Sequence, residues 1–97
     1  MRLTAREQAA IRTATHQAFG PDAVVRLFGS RLDDARRGGD IDLLVQVAAP
    51  PAPFAAGTFR RLLDRSVGER EYDILVVKDG ETMSPVASKA LAEGVVL

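Results

Sequence analysis

The chain contains no cysteine among its 97 residues. This absence excludes a disulfide framework and every zinc site built on cysteine, and it fits a reducing compartment. Long apolar runs are also missing, since none approaches the ~20 residues that a transmembrane helix requires. The N-terminal stretch has no apolar core of the kind found in signal peptides. We therefore expect a soluble, cytoplasmic protein that does not associate with a membrane.

An excess of charge of either sign is missing as well. The 13 Lys and Arg residues balance the 13 Asp and Glu residues, so there is no bulk attraction for nucleic acid, and direct binding of nucleic acid is not expected. Lysine is scarce and nearly all cations are arginines, which suit bidentate contact with phosphate. The length predicts a single domain over residues 1–97.

Hydrophobic periodicity predicts three main helices and three strands. Thr4 and Glu7 match a capping box, which opens a helix that runs to about residue 18. The predicted strands cover residues 23–28, 40–47 and 71–77, and the other main helices cover residues 54–67 and 82–93. The arginine-rich stretch at residues 31–37 could form one or two further helical turns.

The order of these elements is α-β-(short α)-β-α-β-α, which predicts an α/β (α+β) fold in which helices layer a small sheet. The connection between the first two strands has about ten residues, which is short for a parallel crossover. We therefore expect the first two strands to be antiparallel. The sheet is then mixed, with at least three strands.

Side-chain alternation predicts which faces of these elements are buried. In the strand at residues 40–47, we assign the apolar odd-numbered residues to the core and place Leu44 on the opposite face with the two aspartates. The predicted apolar stripes of the last two helices are Phe54, Thr58, Phe59, Leu62, Leu63 and Val67 in one, and Val86, Ala90 and Leu91 in the other.

Two carboxylates stand one residue apart at the start of the second strand. Asp40 and Asp42 point to the same face, with Cα atoms about 6.5–7 Å apart, so both can reach one cation or a pair of cations. Mg²⁺ prefers a few carboxylates together with phosphate oxygens. Asp73 opens an apolar run just as Asp42 does, and it lies beside Asp42 if the two strands are neighbours in register. The alternative is that these aspartates cap strand ends and face solvent.

Gly29 and Ser30 follow the first strand. A glycine at that point lets the backbone approach a phosphate closely, and the Ser30 hydroxyl can donate to a phosphoryl oxygen. The alternative is a simple turn with Ser30 as a helix N-cap. Arg31 follows directly and could clamp a triphosphate. Arg36 and Arg37 are expected on a solvated loop.

These elements together resemble the signature of the DNA polymerase β-like nucleotidyltransferase superfamily. That signature has an apolar residue before Gly29-Ser30, a spacer of about the length seen here, the Asp40-x-Asp42 pair, and a third acidic residue, here Asp73, on a later strand. The short chain resembles the minimal nucleotidyltransferase branch. The resemblance implies a nucleotidyltransferase fold, nucleotide phosphates held at Gly29 and Ser30, and two Mg²⁺ ions bound by the three aspartates, with Asp73 helping to deprotonate the attacking hydroxyl.

The resemblance also implies a reaction and a partner. It implies transfer of a nucleoside monophosphate, AMP from ATP, to a tyrosine hydroxyl of a helical HEPN-domain protein, with this chain as the antitoxin of a toxin–antitoxin pair. Larger relatives carry an acceptor-binding domain, so here a partner protein or a second copy would supply that surface. Two alternatives stay open: a non-catalytic antitoxin that only masks its partner, and an enzyme that adds nucleotides to nucleic acid, which the neutral charge disfavours.

Overall fold

The computed structural model of the chain describes residues 3–29 and 41–97. In chain order the elements are α1 (Ala5–Phe19), β1 (Val24–Phe28), β2 (Ile41–Val47), α2 (Ala55–Ser66), β3 (Tyr72–Lys78), α3 (Pro85–Glu93) and β4 (Val95–Val96). The short helix predicted at residues 31–37 lies outside the described residues. Within these two ranges, no helix has the length and apolar character needed to cross a membrane.

The four strands form one mixed sheet in the order β3-β2-β1-β4. β1 is antiparallel to both β2 and β4, whereas β3 is parallel to β2. The predicted antiparallel pairing of the first two strands and the mixed α/β architecture are therefore confirmed. The helix α2 makes the long crossover that the parallel pair β2–β3 requires. The two-residue strand β4 was not predicted.

Helix α1 begins at the predicted capping box. The Thr4 hydroxyl accepts a hydrogen bond of 3.0 Å from the Glu7 N–H, and the Glu7 carboxylate accepts one of 2.9 Å from the Thr4 N–H. The helix ends at Gly20, which has a φ of 104° and donates its N–H to the His16 carbonyl over 3.0 Å. Both ends of α1 thus follow from local sequence signals.

Helices α1 and α2 cover one face of the sheet and form the larger core. The rings of Phe19 and Phe59 meet edge to face, with centroids 5.4 Å apart. Phe54, predicted to belong to the buried stripe of α2, is 81% exposed because it is the N-cap residue before the helix. The other buried members of this core include Ile11, Ala14, Val25, Leu27, Ile41, Leu43, Val45 and Leu63.

Helix α3 packs on the opposite face, which we call the α3 face. Its core consists of Leu44, Ala87 and Ala90, with half-buried apolar neighbours from β1, β3 and α3. The helix begins at Pro85 and not at residue 82, because the Ser84 hydroxyl caps it by accepting the Ala87 N–H over 3.1 Å. The prediction that Val86 faces inward is wrong, since Val86 is 60% exposed and Ala87 takes the buried position.

Candidate functional site

One row of residues crosses three strands at the end of the sheet where β1 finishes and both β2 and β3 begin. Phe28 is the register partner of Asp42, and Asp42 is the register partner of Asp73. We call these three residues the carboxylate row. Their side chains share the α3 face, because Asp42 lies two residues before Leu44, which packs against α3.

The two aspartates of the carboxylate row are immediate neighbours on parallel strands. Neighbouring strands lie about 4.8 Å apart, so the two carboxylates can reach a common ligand. Helix α3 covers Leu44 and the half-buried Leu75, the next pair along the two strands. Asp42 is half-buried and Asp73 is exposed. The structure therefore places Asp73 beside Asp42 on one face, as the matched apolar runs predicted.

Gly29 brings the end of β1 directly against the Asp42 carboxylate. Its φ of 76° lies in the left-handed region that favours glycine. A Cβ atom at this position would overlap Asp42 Oδ2 and come within 3.0 Å of Asp42 Cγ. The sequence predicted that this glycine permits a close backbone approach to a phosphate. The structure shows a close approach to a carboxylate, which gives Gly29 a role in placing Asp42.

The structure brings together Gly29, Asp42 and Asp73 from the predicted site. Ser30 and Arg31, predicted to bind the nucleotide, and Asp40, predicted as a metal ligand, lie outside the described residues. Their predicted roles stay predictions. Arg36 and Arg37, expected on a solvated loop, lie outside the same ranges.

The start of β3 is held by contacts that sequence patterns did not reveal. The Glu71 carbonyl accepts a hydrogen bond of 3.0 Å from the Ile41 N–H. The Tyr72 side chain is buried. Its hydroxyl donates to the Gly68 carbonyl over 2.6 Å, and burial raises the pKa of this phenol. These bonds fix the backbone directly before the position from which Asp73 projects.

A second polar cluster lies on the α3 face toward the opposite end of the sheet. Arg26 Nη1 donates to Gln46 Oε1 over 2.7 Å. Gln46 Nε2 in turn donates to Asp79 Oδ1 over 2.8 Å. Gln46 lies four residues beyond Asp42 on β2, with the apolar Leu44 between them. This cluster therefore ties the turn after β3 to the sheet and does not contribute to the carboxylate row.

The donor atoms of the carboxylate row fit a hard divalent cation. Two adjacent carboxylates repel each other unless a cation neutralises them, and Mg²⁺ accepts a few carboxylates together with phosphate oxygens. Within residues 3–29 and 41–97, no cluster of three His, Cys, Asp or Glu side chains is arranged to hold a metal; Asp40, the third predicted ligand, lies outside these ranges. This chemistry rests on the chain's own residues, because no protein-family model matches the sequence and no curated protein matches it.

Proposed function

We propose that this chain is an Mg²⁺-dependent nucleotidyltransferase that transfers a nucleoside monophosphate, AMP from ATP, to a hydroxyl group of a partner protein. The observation that carries the proposal is the register pairing of Asp42 with Asp73 on one face, next to the turn at Gly29. Such an acidic pair can hold the metal ions that assist phosphoryl transfer to or from a nucleoside triphosphate.

Each described residue of the site has a distinct role in this proposal. Asp42 and Asp73, with Asp40 from outside the described residues, would hold two Mg²⁺ ions. When bound, the ions supply charge stabilisation to the attacking and leaving oxygens. Gly29 has no side chain, and a side chain at this position would displace the Asp42 carboxylate. By the family resemblance, the backbone at Gly29 and Ser30 holds the outer phosphates, and Arg31 adds a bidentate contact with them.

The reaction is an in-line substitution at the α-phosphorus of the nucleotide. The acceptor hydroxyl oxygen forms a bond to that phosphorus, and the bond to the bridging oxygen of the β-phosphate breaks. Pyrophosphate leaves with the electron pair of the broken bond. Asp73 helps the acceptor hydroxyl to lose its proton, which passes on to solvent. Positioning and charge stabilisation supply most of the rate in transfers of this kind.

The partner is proposed to be a helical HEPN-domain protein, with this chain as its antitoxin. The described residues form one sheet and its two helical layers, and Asp73 lies on an exposed edge strand of that sheet. A second protein can therefore approach the carboxylate row from the edge. Neutralisation of the partner would follow from attachment of the nucleotide to its hydroxyl group.

The test is transfer of label from α-phosphate-labelled ATP to the protein encoded by the neighbouring reading frame, in the presence of Mg²⁺. We expect Asp42→Ala to lower the transfer by about a hundredfold or more, as loss of one charge-stabilising group does in enzymes. Asp79→Ala is the matched control, because it removes a carboxylate from the cluster at the opposite end of the sheet. The proposal fails if Asp42→Ala transfers label normally. Full neutralisation of the partner by Asp42→Ala would instead favour the masking antitoxin.

A further inference from the structure

Strand β3 is a long and largely apolar edge of the sheet. It has seven residues, whereas β4 at the other edge has two. Natural edge strands are usually blunted by proline, by charges or by bulges. In β3 there is no proline, and the charged residues are Asp73 and Lys78, close to its two ends. Val76, in its middle part, is 36% exposed.

Every second residue of β3 directs its backbone groups toward this edge of the sheet. The Glu71 carbonyl and the Asp79 N–H both bond to β2, over 3.0 Å and 2.8 Å. Because inward and outward backbone groups alternate along a strand, Tyr72, Ile74 and Val76 direct their N–H and C=O groups away from β2. No backbone group within residues 3–29 and 41–97 bonds to these outward groups.

A strand added to this edge would extend the carboxylate row. It would lie about 4.8 Å from β3, and its residue beside Asp73 would point to the same face as Asp73 and Asp42. That face carries the proposed reaction. An extended segment paired with β3 thus places one of its side chains next to the carboxylate that assists the attacking hydroxyl.

We infer that the acceptor segment of the partner protein binds as an added strand on β3, with its hydroxyl-bearing residue beside Asp73. The inference rests on the proposed nucleotidyl transfer. The segment is extended and apolar on both sides of the hydroxyl residue, because Ile74, Leu75 and Val77 border the edge. It carries no acidic residue next to the hydroxyl residue, because the charge of Asp73 would repel it.

The test uses a heptapeptide of alternating valine and glutamine with one central tyrosine as the acceptor probe. Transfer of label from α-phosphate-labelled ATP to this peptide is measured together with amide hydrogen exchange by NMR. In the free chain, we expect the outward amides of Ile74 and Val76 to exchange rapidly and the inward amides of Leu75 and Val77 to be protected. Addition of the peptide should protect the outward amides and leave the inward amides unchanged.

Proline substitution tests the edge directly. Val76→Pro removes an outward N–H and leaves the inward ladder intact, which edge strands tolerate. We expect it to lower transfer to the peptide by at least about tenfold, because the added strand loses backbone hydrogen bonds. Val96→Pro is the matched control on β4. The Leu97 N–H donates to the Val25 carbonyl over 3.0 Å, so the neighbouring Val96 N–H also points outward, and this variant keeps full transfer.

If Val76→Pro does not fold, N-methylated versions of the peptide test the same backbone hydrogen bonds. Methylation of the alternate peptide amides that face β3 should abolish transfer, whereas methylation of the other set should leave it intact. Protection of the outward amides without transfer would overturn the nucleotidyltransferase proposal and support the strand addition. Transfer without new protection, or no protection at millimolar peptide, would overturn the strand addition. Protection that rises with the concentration of the free chain would assign the edge to a second copy and overturn the inference.

Discussion

At the scale of single residues, Gly29 couples the backbone of β1 to the position of the Asp42 carboxylate. We predict that Gly29→Ala lowers the free energy of unfolding by about 1–2 kcal/mol from left-handed strain alone, and further because the new Cβ overlaps Asp42. Displacement of the Asp42 carboxylate should also weaken the binding of ATP together with Mn²⁺, used here as a substitute for Mg²⁺. Urea unfolding and calorimetric titration measure the two effects separately.

Gly80→Ala is the matched control for the Gly29 prediction. Gly80 has a similar φ of 84°, but a Cβ atom there meets nothing within 4 Å. The control variant should therefore show the strain cost alone and bind Mn²⁺ with ATP as the parent chain does. Equal unfolding free energies and equal metal binding for the two variants would show that Gly29 only forms a turn.

At the scale of elements, Glu7 links the N-terminus of α1 to the strand that carries Asp73. Its carboxylate accepts the Thr4 N–H over 2.9 Å and pairs with Arg70 Nη1 at 3.0 Å, two residues before Tyr72. The hydrogen bond from the Thr4 backbone, helped by the Arg70 charge and opposed by burial, lowers the pKa of Glu7 below its ordinary value of 4.5. The folded state is therefore stabilised by the ionised form of Glu7.

We predict that Glu7→Ala lowers the free energy of unfolding by about 1 kcal/mol at neutral pH, the usual cost of losing a cap contact. Because the folded pKa is below the unfolded one, this contribution is complete above the unfolded pKa near 4.5 and is lost as the pH falls through the folded pKa. Urea unfolding at about pH 7 and about pH 3 should show the difference from the parent chain shrinking. Glu69→Ala removes an exposed carboxylate next to Arg70 and serves as the control. A difference in unfolding free energy between Glu7→Ala and the parent chain that does not change with pH would contradict the prediction.

The elements show which parts of the fold were predictable from the sequence. The cap of α1 and the antiparallel pair β1–β2 depend on local signals, namely a capping box and a short connection. The pairing of Asp42 with Asp73 was predictable because each aspartate stands directly before an apolar run at the start of its strand. Strand β4 was not predictable, because two residues carry no periodicity and its neighbour Leu97 is held by a hydrogen bond to the distant Val25.

In the candidate site, the neighbouring positions of Asp42 and Asp73 were predictable, but the contacts around them were not. The contact of Gly29 with Asp42 depends on how the chain turns at the end of β1, which no local pattern specifies. The complete burial of Leu44 depends on the docking of α3, a tertiary event that strand alternation alone cannot foresee. The exposure of Phe54 was not predictable for a similar reason. The apolar periodicity of α2 extends to Phe54, although this residue precedes the helix.

At the scale of the whole molecule, the sheet separates two cores of unequal size. The α1–α2 side buries many large side chains, including Phe59 and Ile11, whereas the residues buried with Leu44 on the α3 face are the small Ala87 and Ala90. Hydrophobic stabilisation scales with buried apolar area. The α3 layer is therefore expected to open at a lower free energy than the rest of the fold.

Leu43 and Leu44 offer a matched test, because they are adjacent on β2, fully buried and directed to opposite faces. Each substitution by alanine should cost about 2–5 kcal/mol at a fully buried site. Leu43→Ala should raise amide exchange throughout the chain, since it weakens the main core. Leu44→Ala should raise amide exchange first in α3. This variant should also reduce nucleotidyl transfer by more than its effect on unfolding explains, because Phe28 and Leu75 join the α3 core to the carboxylate row. Equal exchange in α1 and α3 for both variants would show that the two layers unfold as one unit.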